Sequence, residues 1–318
     1  METIKFFGLL FLILPAGYCL DIWKIGEQKM KNILIGLLMI GTLFGQVNSV
    51  LTISPTTSET ILGNQSLAFR NPAINNLNED TLTHLSFSNV KWLGNIVDDM
   101  GFNYVGVKKG KLDYSLLYFN YGEQNLADES GIISGNFSPS TLVASVGWGT
   151  NLLYKGEKVD SVALGFRGKV VSHDLHTEKT DGMLFDIGLH FQKLYGIVNL
   201  DLMVSNVGIM TKMNGYEIDM PSAFNVGFNI PIKDKWNIYN QWNLYDGYHT
   251  HGQGVSYNWK NMLWVNAGYY NDVTYNLNYS SIGMDLKFER YKIGLGILNG
   301  DDTHPLKNTL LLTLNMEI

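Results

Sequence analysis

Ser281-Ile282-Gly283-Met284-Asp285-Leu286-Lys287-Phe288-Glu289 alternates without a break. Successive side chains of an extended strand point to opposite faces. Ile282, Met284, Leu286 and Phe288 therefore share one side, while Gly283, Asp285, Lys287 and Glu289 share the other. One face is oily and the other is wet. The same division recurs upstream. Phe185, Ile187, Leu189 and Phe191 oppose Asp186, Gly188, His190 and Gln192; Val198, Leu200, Leu202 and Val204 oppose Asn199, Asp201 and Ser205; Phe224, Val226, Phe228 and Ile230 oppose Asn225, Gly227 and Asn229.

Period two alone fits any half-buried sheet, so strand length and connections have to decide what covers the oily face. Fourteen candidate strands follow from the pattern: 82–88, 98–107, 112–121, 139–149, 160–172, 181–192, 196–207, 221–231, 235–245, 250–259, 262–271, 279–289, 290–298 and 308–318. Most run to about ten residues, the length a tilted strand needs to cross a bilayer. Soluble strands are typically about five to six. The connections also alternate. Lys193 to Tyr195, Ile232 to Asp234, Lys260-Asn261 and Glu289-Arg290 are tight, whereas Gly122 to Ser138, Gly208 to Met220 and Asn299 to Lys307 are long. Thr150 to Val159 breaks the rule by being long on the short side. Short turns at one end and longer loops at the other are the habit of outer-membrane barrels.

Composition agrees. Charged residues are 16% of the 318-residue chain, against about a quarter in soluble domains. The net charge of −6 lacks the basic footprint that nucleic acid requires. The C-terminal stretch Leu310, Leu312, Leu314, Met316 and Ile318 has the form of a closing strand. These features specify an all-β fold, a transmembrane antiparallel barrel of about fourteen strands at 82–318, in the bacterial outer membrane. Its first partner is membrane lipid.

Ahead of the barrel lie two apolar stretches, Phe6 to Leu14 and Ile33 to Phe44, each too short for a membrane-spanning helix. The second follows Lys24, Lys29 and Lys31 and precedes Val47-Asn48-Ser49, the order of a secretory signal. The expected organisation is a targeting region at 1–49, divided into an upstream extension (1–29) and a signal peptide (30–49), then a short N-terminal segment at 50–81 that plugs or underlies the barrel. Met1 and Met30 both remain candidate starts.

Candidate functional residues fall into two groups. Arg167, Lys169, Asp186, His190, Asp201, Asp285 and Lys287 occupy wet-face positions, and an ionisable group is costly against lipid, so these should line the lumen. Asn71-Pro72-Ala73 reads as a turn, because proline fixes φ and keeps its predecessor extended. His249-Thr250-His251 and His173 with His176 lack the company of ligands that a metal site needs. Neither a nucleophile elbow nor a phosphate or dinucleotide loop is present, so no metal, cofactor or catalysis is expected.

Ser66-Leu67-Ala68-Phe69-Arg70-Asn71-Pro72-Ala73, followed by Trp92-Leu93-Gly94-Asn95-Ile96, resembles the PorV/PorQ family of outer-membrane barrels. Met220 to Gly227 and Val265 to Tyr269 fit the same family in order. The resemblance implies a barrel of the fatty-acid-transporter type serving type IX secretion, with an envelope or secreted cargo protein as partner and Asn71, Pro72, Ala73 and Trp92 in a structural or partner-binding role. The alternative that it also implies is a channel for hydrophobic small molecules such as fatty acids.

Overall fold

A computed structural model describes residues 49–65, 71–76 and most of 82–318, apart from 94–96, 98, 128–132, 155, 157, 176–177, 213–217, 219, 274–276, 301–303 and 305. The targeting region before Ser49, Ser66 to Arg70, Gly94 to Ile96 and His176 lie outside the described residues.

Sixteen strands appear among the described residues. In chain order they are β1 Thr83–Val90, β2 Gly101–Lys109, β3 Leu112–Asn120, β4 Gln124–Ala127, β5 Ile133–Phe137, β6 Ser140–Tyr154, β7 Ser161–Asp174, β8 Lys179–Leu194, β9 Val198–Met210, β10 Ala223–Ile232, β11 Trp236–Tyr245, β12 His249–Trp259, β13 Leu263–Asp272, β14 Leu277–Phe288, β15 Tyr291–Asn299 and β16 Thr309–Glu317. Fourteen of them close into one antiparallel barrel, and β4 and β5 form a separate hairpin between β3 and β6. The hairpin falls inside the expected loop Gly122 to Ser138. The expected long turn at Thr150 to Val159 shrinks because β6 runs on to Tyr154, past a register shift between Asn151 and Leu153.

The barrel closes where β1 meets β16, with Leu85 opposite Met316 and Phe87 opposite Leu314. Thr83 and Ile318 exchange two backbone hydrogen bonds of 2.8 and 2.9 Å, so the last residue of the chain is tied to the first strand. Closure leaves no edge, and in hydrocarbon each unpaired backbone group would cost several kcal/mol.

The outer face is apolar and bare. Phe288 is 71% exposed, Leu310 67% and Ile282 57%, values that water would not tolerate over so continuous a surface. Trp148, stacked on Phe166, and Trp236, against Tyr257, stand on this face toward the short-turn end. Lys260 lies 4.9 Å over the Trp259 ring at the same end, as expected of an interfacial girdle. Tight turns use adjacent positive-φ residues, Lys233 with Asp234 and Lys260 with Asn261, the backbone that a right-twisted hairpin favours.

Inside the barrel lies the N-terminal segment. A 3-10 turn at Ser49–Thr52 leads to α1, Thr57–Ile61, and a second 3-10 turn spans Pro72–Asn76. α1 packs on β13 to β16, and the second turn packs on β3 and β6 to β8. Inward glycines make the room. A Cβ at Gly254 would lie 2.6 Å from the Leu62 carbonyl oxygen, and one at Gly296 would lie 2.6 Å from Ile61 Cδ1. At Gly149 and Gly165 the obstacle would be the backbone of Pro72 and Ala73. The glycines of the wet face are thus a bed on which a second backbone lies.

Gly254→Val should therefore eject residues 50–65 without opening the barrel. The expected result is heat-modifiable gel migration like that of the parent, together with new protease cleavage inside this segment; the outward-facing Val255→Leu should change neither.

Candidate functional site

The lumen is organised from the short-turn end to the loop end. Near the turns, Asn71 precedes Pro72 as a cap, its Oδ1 accepting the Ala73 N–H at 3.0 Å, and proline suits the first position of a helical turn. Asn71 Nδ2 donates to Asp201 Oδ1 at 2.8 Å, and the same oxygen pairs with His190 Nδ1 at 2.9 Å. Asn75 donates to Asp113 Oδ2, while Asp113 Oδ1 accepts from Arg167 at 2.9 Å. Arg167 is 4% exposed and Asp113 fully buried.

At mid-height α1 begins with Thr56 as its N-cap. Thr56 Oγ1 accepts from the Glu59 N–H at 3.4 Å, the bond of an N-cap threonine, and donates to Glu59 Oε2 at 2.8 Å. Ser58 donates to both Asp285 oxygens at 2.9 and 3.1 Å, and Ser281 donates to the Ile61 carbonyl at 2.7 Å. Asp285 also meets Asn266 at 2.9 Å and Lys292 at 3.5 Å. Lys287 pairs with Glu317 at 3.0 Å nearer the turns, where both are about one-third exposed.

On the opposite wall, a register shift in β9 places Asn206 at φ 58°. Its N–H donates to Asp186 Oδ1 at 2.8 Å, and its Oδ1 accepts from Lys169 at 2.7 Å. Its Nδ2 donates to the carbonyls of Pro221 at 3.2 Å and Leu51 at 3.5 Å. Lys169 is also 2.7 Å from Asp186. A cavity of about 70 Å³ opens here, between residues 50–55 and the wall strands that carry Tyr104, Ser115, Ser145, Arg167 and Lys169.

The loop end is apolar. Val90, Phe102, Phe119, Tyr279, Leu298 and Leu311 face inward and pack with Val50 and Ile61. Trp92 folds over them, 6.0 Å from Phe102, and Phe119 continues to Tyr121 at 4.7 Å and Tyr121 to His173 at 5.7 Å. Burial pushes the Tyr121 phenol pKa up, partly offset by its 3.2 Å hydrogen bond with Thr141.

Arg167, Lys169, Asp186, His190, Asp201, Asp285 and Lys287 thus all occupy inward register positions, but in separate pairs rather than as one constellation. Asn71, Pro72 and Ala73 sit under the lumen wall and Trp92 at its mouth. Trp264, which could have stood in a girdle, faces inward beneath Lys292, 4.6 Å away. His251 lies on the outer face, stacked on Trp242 at 3.9 Å. Among the described residues no group of His, Cys, Asp and Glu converges on a metal site. Sequence reasoning missed Asp113, the Thr56 N-cap and the inward aromatics Phe102 and Phe119. Thr56-x-x-Glu59 was a readable signal; Asp113 carried none beyond its parity in β3.

No family model matches the chain, and no curated protein does. Solved structures do resemble it. The CymD monoaromatic hydrocarbon channel aligns with a TM-score of 0.52 at 9% identity, covering 85% of this chain and 97% of that one. A TodX monoaromatic hydrocarbon channel, a deltaS2S3 mutant, aligns at 0.50 with 12% identity over 86% of this chain and 98% of its own. A FadL homologue of Pseudomonas aeruginosa aligns at 0.48 with 10% identity over 86% and 97%.

The chain is an outer-membrane β-barrel. At these identities the likeness is one of fold, and CymD and TodX, which share it, are monoaromatic hydrocarbon channels. It corrects the expected PorV/PorQ membership and, with it, the type IX secretion role, and it lends no support to a cargo-protein partner. The physical reason is visible in the residues that suggested the resemblance. Among the described residues of those motifs, Asn71, Pro72 and Ala73 pack against the inner wall and Trp92 packs on the aromatic mouth.

Removing the carboxylate beneath Arg167 should be costly. Asp113→Ala is expected to destabilise the barrel by about 3–5 kcal/mol in urea titrations in lipid bilayers, and adding Arg167→Met should restore most of that loss.

Proposed function

We propose that the chain is a channel carrying hydrophobic small molecules across the outer membrane, without a catalytic step. One observation carries this reading: the inward positions at the loop end are apolar. A barrel passing water-soluble solutes keeps its interior polar. Here Phe102, Phe119, Leu298 and Leu311 turn their side chains into the lumen, where hydration would be unfavourable and an apolar solute would gain from burial. CymD and TodX, whose fold the chain shares, are monoaromatic hydrocarbon channels, and solutes of that class suit an aromatic mouth.

The about 70 Å³ cavity is half the roughly 150 Å³ that accepts benzene in an engineered protein core. Passage therefore requires residues 50–55 to yield. Asn206 Nδ2 ties this stretch to the wall by a long bond, 3.5 Å to the Leu51 carbonyl.

Cells that lack other hydrocarbon channels should take up labelled toluene faster when they carry this barrel. Leu298→Asp, which places a charge in the apolar cluster, should cut that uptake about tenfold or more at an unchanged amount of barrel in the membrane. Uptake equal to that of barrel-free cells would sink the reading.

A further inference from the structure

The geometry points to an uncharged guest bearing one hydrogen-bonding group, a phenol or an alcohol, as the molecule that the wall behind residues 50–55 selects when those residues yield and the about 70 Å³ cavity enlarges. This rests on the channel reading and names the chemistry of its solute.

Charge compensation excludes carboxylates. Both cations of the cavity wall have a carboxylate in contact, Arg167 with Asp113 at 2.9 Å and Lys169 with Asp186 at 2.7 Å. Both carboxylates are nearly or wholly buried, at 0% and 2% exposure. An anionic guest would have to take a cation from its partner and strand a buried aspartate, and breaking such a pair is far more costly than forming it is rewarding. Elsewhere in the lumen Lys292 and Lys287 are committed to Asp285 and Glu317.

Hydroxyl groups favour a polar handle. Ser115 shares one hydrogen with Ser145 across 2.7 Å and another with the Tyr104 hydroxyl, so this chain of three hydroxyls keeps one hydrogen and several lone pairs for a guest. Ser205 accepts from Asn225 Nδ2 at 3.0 Å and keeps its own O–H. All four line the cavity, and Leu51, Ile53, Leu117, Val143 and Met203 supply its apolar side. A molecule with an apolar body and one hydroxyl meets both surfaces, whereas a carboxylate meets only cations that already have one in contact.

Toluene, p-cresol and benzoate can be compared at pH 7 by ligand-observed NMR with the purified full chain in detergent, against detergent alone. Toluene and p-cresol should bind and benzoate should not. Replacing both hydroxyls (Ser115→Ala with Ser145→Ala) should weaken p-cresol about fivefold, the worth of one hydrogen bond, and leave toluene unchanged. Asp186→Asn, which removes the charge beside Lys169, should admit benzoate; Asp113→Asn tests the same idea at Arg167 if the first variant fails to insert. Binding of neither toluene nor p-cresol would overturn the channel reading itself. Toluene binding with benzoate equal to p-cresol in the parent, with p-cresol indifferent to the serine variants, or with benzoate excluded from both aspartate variants, would overturn the selectivity alone.

Discussion

Backbone N–H and C=O groups cannot stand unpaired in hydrocarbon, and the rest of this molecule follows from that. The sheet must close, so β1 finds β16. A closed sheet has only two faces, so every strand divides its side chains between lipid and lumen. With fourteen strands the lumen is too wide for inward side chains to fill by themselves. The chain fills it with its own N-terminal backbone, and the wall yields space by omitting side chains at Gly149, Gly165, Gly254 and Gly296.

Much of this was legible. Alternation in Ser281 to Glu289 placed Asp285 and Lys287 inside and Ile282 and Phe288 outside, and the fourteen strands lie close to where the pattern put them. A period of two depends only on each residue's neighbours in sequence, which is why it can be read locally. What was not legible depended on distant partners. Asp113 is one charged residue among several until Arg167 and Asn75 arrive from remote parts of the chain. The inward glycines looked like ordinary wet-face positions because nothing local says that another segment will lie on them. Phe102 and Phe119 obey the alternation, but an inward aromatic resembles an outward one when each strand is read alone.

The misassigned family shows the same limit. Asn71-Pro72-Ala73 before a first strand is a statement about backbone geometry: a capped turn with a fixed φ that can lie flat against glycines. Any barrel that houses an N-terminal segment has a use for such a turn, so the motif reports how the lumen is packed rather than what the protein serves. Function is better read from the chemistry of the inward surface, with its paired charges below and its aromatic mouth above.

The seam between Thr83 and Ile318 sets an order of events. It pairs the two wall strands that lie furthest apart along the sequence. Contacts of such long sequence separation form slowly. Until then the wall is an open sheet, and the segment ahead of β1 can be laid onto its glycines from the side. Once the seam is shut, the same segment could reach that place only by threading through an end. The pairing of β1 with β16 thus makes the barrel a container that its own N-terminal segment enters most readily before the wall is sealed.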